Sequence, residues 1–246
     1  MKRYDVIIFD FDNTLFDYEA TERTALSATF EKLGFVYNSK YYDEFKKINR
    51  QIWANSENLG MSKNAIRVER FRMLFEELQI SIEDITLSET ASEIYIDQHR
   101  RGTLIEGVES TIKKLSEEYV LLIASSGLTI PRLDKLKNSP IESYFSKLFF
   151  REHFIEGAIK PDPRFFDTVL QEYLEIPRER ILYVGDNFND DVLGSKAAQL
   201  SNVWFDFFGL SRNGLDNEFD FSKCDHIIYR FDELLGVVEN KIVGVS

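Results

Sequence analysis

The stretch DVIIFDFDNTL, residues 5–15, decides the fold of this chain. Residues 6–9 form an unbroken apolar run rich in β-branched side chains, which is typical of a central parallel strand covered on both faces. The run stops at Asp10, and Asp12 lies two residues further on, so an extended backbone directs both carboxylates to one face. Such carboxylates repel each other, and a bound divalent cation or a shared proton would relieve the repulsion. We therefore expect a ligand site at the carboxyl end of this strand, where open α/β sheets bind ligands.

The composition is typical of a globular protein. The 246 residues are 43% hydrophobic and 29% charged, enough for one large domain or for a domain with an insertion. The sequence has 42 Asp and Glu residues and 30 Lys and Arg residues, which gives a formal net charge of −12. This charge disfavours nucleic-acid binding, which requires a basic surface. The single cysteine, Cys224, excludes an internal disulfide. No apolar stretch is long enough for a membrane span, so we expect a cytoplasmic protein.

Between the first strand and about residue 99 the apolar pattern is helical. Apolar residues recur three and four positions apart in three segments, and Gly34 is typical of a helix end. Ser81 with Asp84 resembles a capping box that opens a fourth helix. The sequence thus predicts a separate α-helical module, residues 16–99, inserted between two parts of a core, residues 1–15 and 100–246.

From Arg100 onward, predicted strands and helices alternate, which indicates βαβ crossovers and a parallel sheet. Strands are predicted at residues 120–124, 147–150, 181–184, 202–205 and 226–229, and helices at residues 108–118, 128–137, 163–175, 190–199 and 231–238. Residues 207–223 show no clear periodicity. The predicted fold class is α/β, a doubly wound, Rossmann-like parallel sheet with the helical module inserted.

Three predicted strands end in polar clusters, at Asp10 and Asp12, at Ser125 and Ser126, and at Asp186 and Asp191. Because the carboxyl ends of parallel strands meet at one edge, these residues are expected to share a site. Lys160 lies in the segment KPDP, where two prolines restrict the loop. Carboxylates that hold Mg²⁺, a hydroxyl that binds an oxyanion and a lysine that offsets charge are typical of phosphoryl transfer. The sequence has no GxxxxGK[ST] loop, which disfavours a P-loop nucleotide hydrolase.

These motifs resemble those of the haloacid dehalogenase superfamily. DFDNT at residues 10–14 is similar to its DxDxT signature, SSG at residues 125–127 to its [ST]xG element, Lys160 to its third motif, and GDNFNDD at residues 185–191 to its fourth. All four occur in the family's order. The resemblance covers residues 5–17 and about 102–235, whereas residues 16–99 match only as a helical cap.

The resemblance implies a phosphatase and a role for each motif residue. Asp10 would be the nucleophile, and Asp12 would protonate the leaving alcohol and later deprotonate water. The magnesium ligands would be the side chains of Asp10 and Asp186 and the backbone carbonyl of Asp12, with Asp191 in support. The transferring phosphoryl group would be bound by Ser125 and by backbone groups near Phe11, Ser126 and Gly127, with Lys160 balancing its charge.

Several substrates and functions stay open at this point. Ser126 stands where the family usually has asparagine, which affects the expected leaving-group contacts. Asp12 argues against a dehalogenase, because attack on carbon needs no acid at that position. The short cap and residues 225–234 resemble the pyrimidine 5′-nucleotidase branch, which implies a nucleoside monophosphate as substrate. The alternatives are a sugar-phosphate mutase or a phosphoglycolate-type phosphatase and, outside the family, a phospho-acceptor signalling domain or a non-catalytic binding module. The expected partner is a small phosphorylated metabolite, and the expected state is a monomer or homodimer.

Overall fold

The computed structural model describes residues 2–81, 85–155, 157–212 and 219–239, and the chain divides into two compact units. One unit comprises Met1–Tyr18 and Gly102–Ser246, and the other comprises Glu19–Arg101. The two units have separate hydrophobic clusters. Among the described residues, none of the helices combines the length and the apolar character that crossing a bilayer requires.

The second unit is helical. Its helices are α1 (Tyr18–Lys32, whose first residue belongs to the other unit), α2 (Lys40–Leu59), α3 (Lys63–Glu77) and α4 (Thr86–His99). Most of the apolar residues that predicted the first three helices pack together in its core, and Gly34 adopts a φ of 80° just after α1. Asp84, on which the predicted capping box depends, lies outside the described residues. The role of this unit as a cap stays a prediction.

Polar side chains are built into the core of the helical unit. Buried Glu22 accepts hydrogen bonds from the hydroxyls of Tyr42 at 2.9 Å and Tyr95 at 3.4 Å. Burial and the Glu22 carboxylate raise the pKa of Tyr42. The guanidinium of Arg70 lies 4.6 Å from the ring centroids of both Phe45 and Tyr95. These contacts partly compensate for the burial of the Glu22 carboxylate and the Arg70 guanidinium.

In the part of the chain that the structure describes, the other unit is built on a six-stranded parallel sheet. Its strands are β1 (Val6–Phe9), β2 (Val120–Ala124), β3 (Lys147–Phe149), β4 (Ile181–Gly185), β5 (Ser201–Phe205) and β6 (His226–Ile228). They lie in the order β3-β2-β1-β4-β5-β6, and every neighbouring pair is parallel. The winding direction reverses between β1 and β4, which makes this the switch point where doubly wound sheets bind ligands. The predicted fold class is confirmed.

Both faces of the sheet are covered. Ile7 and Phe9 of β1 pack into one apolar cluster, whereas Val6 and Ile8 pack into another on the opposite face. Residues of α5 (Val108–Ser116) and α9 (Leu234–Val238) join the first cluster, as does one residue of α6 (Thr129–Lys137). Residues of α7 (Pro163–Leu170) join the second. Burial on both sides explains the continuous apolar run from which the strand was predicted.

Some element bounds differ from those predicted. Helix α7 ends at Leu170 and is followed by a 3₁₀ turn, Gln171–Tyr173, so the predicted end at residue 175 was wrong. The helix predicted from residue 190 begins earlier, with a π-helical segment, Phe188–Leu193, that leads into α8 (Gly194–Ala197). The stretch without periodicity forms short 3₁₀ turns at Leu210–Arg212 and Phe221–Lys223, and residues 213–218 lie outside the described residues.

Candidate active site

Polar residues follow the three central strands at their carboxyl ends. Asp10 follows β1, Ser125 follows β2 and Asp186 follows β4. The last residue of β1, Phe9, is paired in register with residues of both neighbouring strands. The switch point of the sheet therefore brings residues together that are more than a hundred positions apart in the sequence.

Lys160 forms ion pairs with two of the predicted acidic residues. Its Nζ donates hydrogen bonds to Oδ1 of Asp10 at 2.5 Å and to Oδ1 of Asp191 at 2.6 Å. The side chain of Lys160 is 5% exposed, and those of Asp10 and Asp191 are 9% and 1% exposed. Charge-assisted hydrogen bonds of this kind are strong where water does not screen them. The lysine of the KPDP segment thus contacts Asp10, which follows β1, and Asp191, in the segment after β4.

The loop that carries Lys160 is tied to the end of β2. The backbone N–H of Lys160 donates to Oγ of Ser126 at 3.0 Å. Two residues later, the side chain of Asp162 accepts from the backbone N–H of Arg164 at 2.9 Å and caps α7, with Pro163 in the first turn. The lysine is therefore held by a neighbouring loop and by the start of a helix.

Three carboxylates form a group that could hold a metal ion. Asp10, Asp186 and Asp191 each offer one oxygen, and these oxygens lie within 4.8 Å of one another. Oγ1 of Thr14 donates to Oδ1 of Asp186 at 3.3 Å and orients that side chain. Hard oxygen donors in such a cluster match the ligand preference of Mg²⁺. The donor set therefore fits the predicted magnesium ion.

The electrostatics of the cluster also fit a cation. Burial, more than the neighbouring Asp191 charge, raises the pKa of Asp10 to about 6 against the opposing effect of Lys160. Burial and the charges of Asp10 and Asp191 raise the pKa of Asp186 to about 8. Burial disfavours the charge on Lys160, but Asp10 and Asp191 outweigh this effect and raise its pKa well above the usual value. The carboxylates repel one another even with the lysine in place, and a divalent cation would relieve that repulsion.

Asp191 is fixed by the backbone around it. Its Oδ2 accepts from the backbone N–H of Asn187 at 2.9 Å, while Oδ1 contacts Lys160. A Cβ at Gly185 would lie 2.3 Å from Cγ of Asp191, so only glycine lets the carboxylate approach the end of β4 this closely. Both oxygens of Asp191 are engaged by protein donors. Its supporting role at a metal stays a prediction.

Asn187 starts the helical segment that carries Asp191. Its Oδ1 accepts from the backbone N–H groups of Asn189 and Asp190, each at 3.0 Å. This cap explains why the segment begins before residue 190. Asp190 itself is outside the three-carboxylate group found among the described residues.

Asp12 has a different environment from Asp10. Its Oδ2 accepts a hydrogen bond from Nη2 of Arg132, and its Oδ1 accepts one from Nζ of Lys135 at 3.2 Å. The repulsion expected between Asp10 and Asp12 is thus opposed by protein cations on each carboxylate. From the sequence, only a metal ion or a shared proton was expected to relieve this repulsion, and the two α6 residues were missed. That Asp12 lends its backbone carbonyl to a metal stays a prediction.

The other predicted phosphoryl-binding residues lie in the segments that follow β1 and β2. Ser125 is buried directly after β2, and Ser126 uses its hydroxyl to bind the Lys160 loop. The ring of Phe11 is fully buried and stacks on Phe16 with ring centroids 4.7 Å apart, so only the backbone of Phe11 is suited to bind a ligand. Gly127 packs against the guanidinium of Arg132. The roles of these residues in binding stay predictions.

Known proteins resemble this chain along most of its length. The sequence model of the family described as haloacid dehalogenase-like hydrolase matches residues 7–205. The pyrimidine 5′-nucleotidase PynA of Streptococcus pneumoniae is 25% identical over 241 residues, which cover 98% of this chain and 97% of that protein. The HAD-hydrolase YfnB of Bacillus subtilis is 26% identical over 204 residues, covering 83% of this chain and 85% of YfnB. A crystal structure of YfnB bound to magnesium matches with a TM-score of 0.70 at 24% identity, covering 96% of this chain and 99% of that one.

Proposed function

Because the chain belongs to the haloacid dehalogenase-like hydrolase family, we propose that it is a Mg²⁺-dependent phosphatase that hydrolyses a small phosphomonoester through an aspartyl-phosphate intermediate. The observation that carries the proposal is the grouping of Asp10, Asp186 and Asp191 with Lys160 at the switch point of the sheet. A nucleophilic carboxylate, an acidic metal site and a counter-charge are the parts that such a reaction requires.

In the first step, a carboxylate oxygen of Asp10 attacks phosphorus and forms an acyl phosphate. The bond between phosphorus and the leaving oxygen breaks, and Asp12 transfers a proton to that oxygen so that an alcohol departs. Lys160 already contacts one oxygen of Asp10, and its charge would also offset the incoming phosphoryl group.

In the second step, water attacks the phosphorus of the aspartyl phosphate. Asp12, now ionised, takes a proton from that water, and the bond between phosphorus and Asp10 breaks. Inorganic phosphate leaves, and both aspartates return to their starting protonation states. The proton that Asp12 gave in the first step is therefore recovered in the second.

The metal would be held by the side chains of Asp10 and Asp186, with Asp191 in support. Bound there, Mg²⁺ supplies a positive charge that stabilises the charge developing on the phosphoryl oxygens. Thr14 and Asn187 hold the metal-binding carboxylates through the hydrogen bonds described above. The hydroxyl of Ser125 is the proposed side-chain donor to the phosphoryl group. The magnesium in the structure of the similar YfnB supports this choice of metal.

The proposed substrate class is nucleoside monophosphates. Two relatives are named pyrimidine 5′-nucleotidases, PynA and the Escherichia coli protein YjjG, and the alignment to PynA spans nearly the whole of both chains. Other relatives are named for phosphatases of ribulose-1,5-bisphosphate and glyceraldehyde 3-phosphate, so sugar phosphates and triose phosphates belong in any test. The proposed compartment is the cytoplasm, in keeping with a single, buried cysteine.

A phosphate-release panel tests the proposal. The substrates are pyrimidine and purine nucleoside monophosphates, sugar phosphates and phosphoglycolate, each with Mg²⁺ and with a chelator. We expect steady, Mg²⁺-dependent release that is fastest with a pyrimidine nucleoside monophosphate. Release that ignores the chelator, or no release from any substrate, would refute the proposed activity. A requirement for glucose 1,6-bisphosphate would instead indicate a mutase.

A further inference from the structure

Two cationic side chains on one face of α6 form ion pairs with the carboxylate of Asp12. Arg132 and Lys135 lie three positions apart on this helix, so their side chains leave the same face. Lys135 binds Oδ1 of Asp12 at 3.2 Å, and Arg132 binds Oδ2. One cation on each oxygen fixes both the position and the plane of the carboxylate.

The helix that carries these cations is itself anchored beside the proposed phosphoryl-binding loop. The carboxylate of Glu152 accepts a hydrogen bond from the backbone N–H of Thr129 at 2.9 Å and another from its hydroxyl, at the start of α6. The guanidinium of Arg132 occupies the space beside Gly127, where a Cβ would lie 1.6 Å from Cζ of the arginine. A side chain at position 127 would therefore displace Arg132 from Asp12.

The two cations differ in their access to solvent. The side chain of Lys135 is 2% exposed, and its Nζ also lies 5.3 Å from the centroid of the Tyr18 ring. The side chain of Arg132 is 20% exposed, close to the 18% of Asp12. A lysine buried this deeply requires a counter-charge, and Asp12 provides it. Lys135 therefore binds Asp12 from the buried side, and Arg132 binds it from the side that is more exposed to solvent.

We propose that Arg132 and Lys135 are positioning residues that hold the Asp12 carboxylate in the orientation required for proton transfer to the leaving group. This inference rests on the proposed phosphatase reaction, in which Asp12 is the acid and base. Proton transfer demands close alignment, and a displacement of about 1 Å in such a group costs about a hundredfold in rate. Neither residue belongs to the four sequence motifs.

The leaving group distinguishes positioning of Asp12 from a general structural role. An alkyl phosphate must have its leaving oxygen protonated, whereas p-nitrophenolate leaves without a proton at neutral pH. The value of kcat/KM reports the steps up to the first irreversible one, the transfer of the phosphoryl group to Asp10. We expect Arg132→Met and Lys135→Met to lower kcat/KM about a hundredfold with a nucleoside monophosphate and less than about threefold with p-nitrophenyl phosphate. Lys137→Met, an exposed lysine of the same helix, is the matched control.

A double-mutant cycle shows whether the cations act through Asp12. In an Asp12→Asn background, we expect Arg132→Met or Lys135→Met to add almost no further loss, because the group that they position is already disabled. The conservative variants Arg132→Lys and Lys135→Arg should recover part of the rate. If Lys135→Met fails to fold, two other variants serve as the test. They are Arg132→Met, at the more exposed position, and the double variant Asp12→Asn with Lys135→Met, in which both charges of the buried pair are removed.

Three results would overturn the inference. The first is an equal loss of kcat/KM with both substrates, and the second is a further loss of similar size in the Asp12→Asn background. The third is a higher kcat/KM with the alkyl phosphate, which would mean that the cations only suppress proton donation by Asp12. Wild type and Asp10→Asn are measured alongside. An inactive wild type or an active Asp10→Asn variant refutes the phosphatase reaction itself, which separates the two failures.

Discussion

Nζ of Lys160 lies 2.5 Å from Oδ1 of Asp10, and both side chains are almost completely removed from solvent. A cation held against the Asp10 carboxylate favours its ionised form, which burial alone would disfavour. The same ammonium group contacts Asp191, so one lysine balances two buried carboxylates. The charge balance of the site in the absence of a metal therefore depends on Lys160.

Removing this lysine should destabilise the fold as well as abolish activity. We expect Lys160→Met to lower the free energy of unfolding by about 3–5 kcal/mol at pH 8 without metal, because breaking a buried ion pair from one side leaves uncompensated charge. Urea unfolding measures the loss. The control Lys137→Met, at an exposed position, should change stability by no more than about 0.5 kcal/mol. A Lys160→Met protein as stable as wild type would show that the pairing contributes nothing to the fold.

Stability without metal should fall as the pH rises. Asp10 and Asp186 have pKa values raised to about 6 and about 8, so the folded protein favours their protonated forms. The stability that this contributes is complete below the ordinary carboxyl pKa of about 4 and is lost as the pH rises through the two folded values. Magnesium binds the ionised carboxylates, so it competes with these protons and its affinity should increase from pH 5 to pH 8.

Thermal melts with Mg²⁺ and with a chelator at pH 5, 6, 7 and 8 test this linkage. We expect little Mg²⁺-induced increase in Tm at pH 5 and a clear increase at pH 8. Asp186→Asn should remove most of the pH dependence and most of the metal effect, while Asp167→Asn, an exposed aspartate, should change neither. A Mg²⁺ effect that is the same at every pH would contradict the assigned ligands.

A methyl group at Gly185 should displace Asp191 without adding or removing a charged group. In Gly185→Ala the new Cβ would overlap Cγ of Asp191, which must move away from the end of β4. Overpacking of this kind costs about 1–3 kcal/mol. We expect weaker apparent Mg²⁺ affinity and a lower kcat, both measured by phosphate release over a range of Mg²⁺ concentrations. Unchanged Mg²⁺ affinity would mean that the position of Asp191 does not matter.

The cap at Asn187 provides a gentler test of the same segment. Asn187→Ala removes the acceptor for two backbone N–H groups and should cost about 1 kcal/mol of stability. Asn187→Ser retains a capping oxygen and should recover most of that loss. Unfolding in urea would measure both variants, and equal stability of the alanine and serine variants would exclude a capping role.

The sequence predicted the sheet and its edge because both follow from local patterns. The apolar run before Asp10 and the similar run before Asp186 have the length and composition of buried strands, and strand ends in a parallel sheet share an edge. Lys160 was added to them because two prolines restrict its loop and because its position resembles the third motif of the family. Its contacts with Asp10 and Asp191 depend on the path of a loop, which periodicity does not reveal.

What the sequence did not reveal are contacts between distant elements. Nothing in the local sequence distinguishes Arg132 and Lys135 from the solvent-exposed charged residues of any helix. Their contacts with Asp12 are seen only in the structure. Asn187 was part of a recognised motif, but its capping of the helical segment depends on backbone geometry. The early end of α7 at Leu170 was likewise missed, since apolar spacing continues into the following 3₁₀ turn.

The most direct test of the account is the rate of phosphate release by Asp10→Asn. The amide fits the space of the carboxylate but is not a nucleophile, so we expect a melting profile close to that of wild type and a fall in kcat of at least about a thousandfold. Asp167→Asn, purified and assayed in parallel, should retain the wild-type rate. A folded Asp10→Asn protein that releases phosphate as fast as wild type would contradict the assignment of Asp10 as the nucleophile, and with it the proposed reaction.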